Sequence, residues 1–200
     1  HFGGEYRHII VAMDNQFPAA DLLEPQVNFE LMPLTIVKGG AFANRQAFRQ
    51  VLKQVKPDLV LSYNWGAIEW ALANVPKLCP HVQVEDGFGP DEAVSQLPRR
   101  VLTRKLLFWL TSTKLVVPSR LLQKLATEVW RVPRSKCSYI ANGVALTLKA
   151  KEFSSTGPIT IGTVAAIRKE KNIPRLVRAF AVASQQADLR LIIVGDGPEL

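Results

Sequence analysis

Three cations crowd one junction of this chain. Arg168, Lys169 and Lys171 follow the strand-like run Ile159–Val164 and precede a helical stretch, Ile173 to Gln185. In a doubly wound parallel sheet, this strand-to-helix corner is where backbone N–H groups and positive side chains receive phosphate. The bland alternative, a solvated basic turn, is the usual fate of such charges. The next strand, Leu189 to Val194, ends in Gly195-Asp196-Gly197-Pro198 at the same end of that sheet. Glycines there suit a close approach of backbone to a ligand, although Gly-Asp-Gly alone is only a turn. Gly162, inside the first of these strands, suggests the same close approach.

The remaining elements must position that corner. Strand-like runs are expected at His8 to Met13, Val27 to Met32, Asp58 to Tyr63, His81 to Val84, Lys114 to Val117 and Ser138 to Ile140. Helical stretches fall at Phe42 to Val55, Ala67 to Ala73, Pro98 to Leu110 and Ser119 to Val129. Strands alternating with helices imply βαβ units and a parallel sheet, so the fold class is α/β. Ser119 is placed to cap its helix, and Asn142-Gly143 suits a sharp turn with positive φ. Weak periodicity and a Gly-Pro place a linker at 145–157, between a first domain at 1–144 and the start of a second at 158–200. The chain is expected to lack sequence at both ends, because it opens without an initiator Met and the second domain has too few βα units.

Composition narrows the class. Of 200 residues, 48% are hydrophobic, yet no run approaches the roughly 20 apolar residues needed to cross a bilayer. Cys79 and Cys137 are too few for a disulfide framework and lack metal-ligand spacing, so packing thiols in a reducing cytoplasm are expected. The net charge of +8 belongs to one segment: Arg99 to Lys136 holds ten basic residues and one acid, Glu128. Such a segment attracts an anionic membrane surface or a phosphorylated substrate. Its helix, Pro98 to Leu110, could lie on a membrane or be a core helix with a basic edge. No nucleic-acid recognition module accompanies it.

Five short motifs in order carry a family resemblance. Val117-Pro118-Ser119, Val132-Pro133 with Lys136, Asn142-Gly143-Val144, Gly162-Thr163-Val164 with Lys171-Asn172, and Val194-Gly195-Asp196-Gly197-Pro198 together resemble the retaining glycosyltransferases of family 4. Pro57-Asp58-Leu59-Val60 and Asn64-Trp65-Gly66-Ala67-Ile68-Glu69 look like their first domain, particularly in bacterial exopolysaccharide sugar transferases. The resemblance implies GT-B architecture: two Rossmann-like domains with parallel sheets, the second incomplete here.

It also implies roles. Lys171 matches a Lys that holds the donor diphosphate; the matching Arg position is Ala166, with Arg168 two residues on. Arg168 and Lys171 are therefore the expected catalytic clamp, and Gly162, Gly195, Asp196 and Gly197 the expected donor-binding residues. Asn64, Trp65, Glu85 and Asp86 are expected on the acceptor side, Trp65 by stacking on a sugar ring. Packing for Trp65 and helix capping for the two acids are the competing readings. Gln83 and Asp86 stand where relatives with a similar loop carry His. The implied activity moves a sugar, with retention, from a nucleoside diphosphate sugar to a saccharide or lipid-linked acceptor in cell-surface polysaccharide synthesis. No cofactor and no metal are implied. The expected location is cytoplasmic, peripheral on the inner face of the membrane. A Glu-x7-Glu motif that the family needs would lie beyond Leu200, so the piece alone is expected to be inactive. The alternatives are a non-catalytic binding or assembly protein of the same fold, or another GT-B enzyme such as a sugar-nucleotide epimerase.

Overall fold

The computed structural model describes residues 4–37, 39–88, 92, 95–143 and 157–200. The chain divides into two compact units, His1–Val144 and Ala145–Leu200. The linker expected at 145–157 lies, apart from Gly157, outside the described residues.

The first unit opens with β1 (His8–Ile10) and β2 (Phe29–Leu31), a parallel pair with His8 opposite Phe29. Both are shorter than the apolar runs that announce them. Val11 and Met13, beyond β1, pack instead against a core cluster formed by Phe48, Leu52, Trp70, Ala73 and Cys79. Helix α1 (Ala41–Val55) buries Asn44, Phe48 and Leu52, spaced four apart on one face. Lys56 ends it in the left-handed conformation, just before Pro57, which disfavours helix at the residue preceding it. Phe48 stacks on Trp70 at a centroid distance of 4.4 Å.

Four strands form the main sheet: β3 (Val60–Tyr63), β4 (His81–Val84), β5 (Lys114–Val117) and β6 (Cys137–Tyr139). All pairs are parallel and the spatial order follows the chain order, β3-β4-β5-β6. The connections are helical, as parallel pairing requires. A short 3₁₀ turn, Trp65–Ala67, and α2 (Glu69–Ala73) replace the single helix expected at Ala67 to Ala73. Helices α3 (Pro98–Leu110) and α4 (Arg120–Glu128) follow β4 and β5. Leu107, Phe108, Leu115, Val117, Leu122, Ala126 and Trp130 form the core beneath them. Fully burying a large apolar side chain of this kind is worth about 1.5–3 kcal/mol. Ser119 caps α4 as expected, its Oγ accepting from the Leu122 N–H at 3.1 Å. Asn142 and Gly143 depart from expectation, since neither takes positive φ. Among the residues that do take positive φ are Asn64, which begins the connection from β3, and Asn172, which ends the connection into α5.

The second unit holds β7 (Ile159–Val164), α5 (Ile173–Ala183) and β8 (Leu189–Val194). β7 and β8 pair in parallel, with Gly162 opposite Ile192. Both thiols of the chain are buried and free, and burial pushes both pKa values up, as packing residues require. Among the described residues, no helix is long and apolar enough to cross a membrane.

Candidate active site

Each unit places polar side chains at the C-terminal ends of its strands. In the first, β3 runs into Asn64, whose φ of 58° turns the chain sharply away from the sheet. Asn64 Oδ1 accepts the backbone N–H of Asp86 at 2.9 Å, tying the end of β3 to the loop after β4. Beneath this tie runs a buried polar chain. Gln83 Nε2 donates to the Asn64 carbonyl at 2.9 Å, and Gln83 Oε1 accepts from Ser62 Oγ at 2.5 Å. Ser62 has one proton and spends it on Gln83, so the 2.7 Å contact to His81 Nε2 requires that nitrogen to carry the hydrogen. His81 Nδ1 is then a bare acceptor with no partner among the described residues. Burial lowers the His81 pKa to about 4, which keeps the ring neutral and the chain polarised in one direction.

The two acids expected on the acceptor side part company. Asp86 is exposed. Glu85 is 0% exposed, and neither carboxylate oxygen has a hydrogen-bond partner among the described residues. Its nearest cation is Arg104, whose Nε lies 3.7 Å away, too far for a hydrogen bond. Burial raises the Glu85 pKa to about 7 despite that charge. Neither acid caps a helix among the described residues, so the competing capping reading gives way to an internal place for Glu85 and a solvent-facing one for Asp86.

Arg104 itself is fully buried. Its two terminal nitrogens meet the two oxygens of Glu92, each at 3.3 Å, while Arg100 Nη1 reaches Glu92 Oε2 at 3.0 Å. Burial pushes the Glu92 pKa up, but the bonds from Arg104 and Arg100 outweigh it and hold the carboxyl below its ordinary value. The Arg104 guanidinium lies 4.8 Å from the Trp65 ring centre and 4.6 Å from that of Trp130. Arg100 is 4.9 Å from Trp65. Trp65, expected to stack on a sugar, thus stacks on the protein's own guanidinium groups. Arg104, Glu92 and Gln83 were not singled out by sequence as structural anchors. The one available signal for Arg104 is its spacing within Val101, Arg104, Leu107 and Phe108, the inward stripe of α3.

The second unit is built differently. Arg168 precedes a single 3₁₀ turn, Lys169–Lys171, and Asn172 at φ 48° redirects the chain into α5. Arg168 and Lys171 are both exposed, and neither makes an ion pair with a described residue. The loop is held from behind by β8 and its glycine turn. Ala165 N donates to the Val194 carbonyl at 3.0 Å and Ile167 N to the Asp196 carbonyl at 2.8 Å. A Cβ on Gly195 would stand 1.9 Å from the Ala165 oxygen, and one on Gly197 would stand 2.2 Å from the Ile167 oxygen. These glycines therefore make room for the loop that carries the cations. The close approach expected of Gly162 has no protein partner, since a Cβ there would meet nothing within 4 Å. Asp196 Oδ1 accepts the Gly197 N–H at 2.7 Å and stabilises the turn locally.

Residues 6–148 match the family described as Glycosyltransferase Family 4. The chain belongs to that family. A crystal structure of a glycosyltransferase from Rickettsia africae superposes with a TM-score of 0.65 at 14% identity, over 95% of this chain and 60% of that one. That likeness shows the fold, GT-B α/β with parallel sheets. The chain spans about 60% of the length of the Rickettsia protein. Staphylococcus aureus MnaA with UDP matches at TM-score 0.47 and 16% identity, over 94% of this chain and 60% of that one. An Arabidopsis thaliana protein complexed with UDP-L-rhamnose matches at 0.47 and 10%, over 96% and 61%. No curated protein matches the sequence.

Proposed function

We propose that the whole protein transfers a sugar, with retention of anomeric configuration, from a nucleoside diphosphate sugar to a saccharide or lipid-linked acceptor. The observation that supports this best is the pair of exposed cations, Arg168 and Lys171, without an ion pair among the described residues and on a loop buttressed by the β8 glycine turn. An unpaired cation on a braced loop is already in place when charge builds on the departing β-phosphate, so it favours that state over the bound donor. Family membership supplies the reaction class. Gly195, Asp196, Gly197 and Gly162 serve this donor end, the first three by shaping the loop. On the acceptor side, the exposed Asp86 carboxylate and the Asn64 Nδ2 are the groups that would meet hydroxyls, the Asn64 Oδ1 being held by the Asp86 N–H. Glu85, Trp65 and Arg104 set the loop that carries them. The clamp takes the place of a metal, and no cofactor is needed.

The basic segment Arg99 to Lys136 suits work at an anionic membrane, on cell-surface polysaccharide. Not all of it is surface charge. Arg104 is buried, and Lys136 Nζ donates to the carbonyls of Phe108 and Thr111 near the end of α3. Ala166, where the family carries Arg, favours the rival reading of a non-catalytic relative.

Incubating the full-length protein with a panel of donors, and following release of UDP or GDP, decides between them. Release with one donor, reduced about a hundredfold in Lys171→Ala, is the expected result. No release with any donor supports the non-catalytic reading, and parent-level turnover in the variant removes Lys171 from the clamp.

A further inference from the structure

Helix α3 turns apolar residues outward. Leu102, Leu106, Trp109 and Leu110 are 55, 48, 65 and 77% exposed. At about 100° per residue they fall, with exposed Arg99 and Lys105, in one arc of the helix. The opposite arc carries Arg104, Leu107 and Phe108 into the core. Beside the exposed arc lies a hollow of about 720 Å³, floored by Val101, Leu102, Leu125 and Val129 and flanked by Lys105 and Arg131. Trp109 Nε1 donates to the Arg131 carbonyl at 3.2 Å, which joins the helix to this hollow.

A contiguous exposed apolar face of this kind marks a contact surface. Charge decides what it contacts. No acid occurs anywhere along α3. A second copy seated across a two-fold axis would set Arg99, Lys105 and Arg131 against their own counterparts. A lipid surface with anionic headgroups meets the cations, takes the leucines into the headgroup boundary and holds Trp109 at the depth that indole favours. We propose that the outward face of α3, with Lys105 and Arg131 beside it, docks on an anionic lipid bilayer. The inference rests on the reading of the protein as one that works at a membrane, and adds the face by which it does so.

The test is co-sedimentation of the 200-residue chain with vesicles of phosphatidylcholine alone or mixed with phosphatidylglycerol. Binding to the mixed vesicles is expected, with little to phosphatidylcholine. Lys105→Glu should weaken it about tenfold or more, and Leu106→Ser/Trp109→Ser/Leu110→Ser should abolish it. Lys105, Leu106 and Leu110 are exposed, so unchanged thermal melts should accompany the loss in Lys105→Glu and in Leu106→Ser/Leu110→Ser, neither of which removes the Trp109–Arg131 bond. Trp65 is half-buried and Trp70 and Trp130 are buried, so a blue shift of parent tryptophan emission on mixed vesicles, absent in Trp109→Phe, reports insertion at α3 independently. Failure of the parent to bind overturns both the membrane reading and this face. Full binding by the charge and triple variants overturns the face alone. Self-association without lipid binding, reversed by Leu106→Ser, assigns the face to a second copy and overturns the proposal.

Discussion

The two units treat the same residue types in opposite ways. In the first, Arg104 is sealed among Glu92, Glu85, Trp65 and Trp130, and every charge around it has become part of the packing. In the second, Arg168 and Lys171 stand in solvent, and glycines rather than charges hold their loop. The contrast teaches that a cation is available to a ligand in proportion to how little the protein needs it. The buried Arg104 guanidinium has given its two terminal nitrogens and its ring-facing surfaces to neighbours. An exposed one costs the fold little and keeps its charge for whatever arrives.

If the contrast is sound, Arg104→Met should be the most damaging single change. It strands Glu92 and Glu85 without their shared cation and should cost about 3–5 kcal/mol. Urea denaturation with a loss under 1 kcal/mol would break the comparison at its strongest point.

Glu85→Gln sharpens it through pH. The folded state holds the Glu85 proton up to about pH 7, above the carboxyl's ordinary 4.5. Parental stability contributed by this group is therefore full below pH 4.5 and lost as pH rises to 7. The glutamine variant lacks that loss, so its advantage should grow over this window by on the order of 3 kcal/mol and level off above it. His81 acts in the opposite sense, because its folded pKa is lowered to about 4 from 6.5. It withdraws stability as pH falls from 6.5 towards 4, in parent and variant alike. Parallel stability curves for the two proteins across this range would show that Glu85 is not held in its acid form.

Glycines test the other side. Gly195→Ala forces the Ala165 carbonyl to move and should destabilise the second unit by about 1–3 kcal/mol, whereas Gly162→Ala should be close to neutral. Equal melting shifts for both would mean that the loop is not braced by that turn. The smallest effect belongs to Lys171→Ala. Its melting temperature should stay within about 1–2 °C of the parent, since the side chain touches nothing that holds the fold. A large drop would move Lys171 into the same class as Arg104.

Much of the architecture was legible in advance. The limits of α3 were readable because Pro98 starts it and polar Thr111 follows its apolar run. The limits of α4 follow from Ser119 as its cap. β3 to β6 stand out because short Val- and Leu-rich runs separate the helical stretches. β1 and β2 were overdrawn, since apolar residues past their ends serve the α1 cluster rather than a ladder. On the site, the strand-to-helix corner carrying Arg168 and Lys171 could be found by sequence alone. The internal duties of Glu85, Trp65 and Gln83 could not, because each depends on a distant partner: Arg104 lies 19 further on than Glu85, for example, and Gln83 bonds to a residue 19 earlier. At Gly195 and Gly197 the sequence suggests a close approach of backbone to a ligand; in the structure the Ala165–Ile167 backbone lies against them.

Local periodicity, capping and turn chemistry act over a few residues, and they settled the order of elements, the α/β class and the corner at which cations gather. Burial is a property of what lies across the sheet or on the next helix, and no window of sequence contains it. Only the tertiary arrangement decided that Arg104 of α3 points into the core with Leu107 while Leu102, Leu106, Leu110 and Trp109 face out. It likewise decided that one of two adjacent acids is sealed and the other left in water.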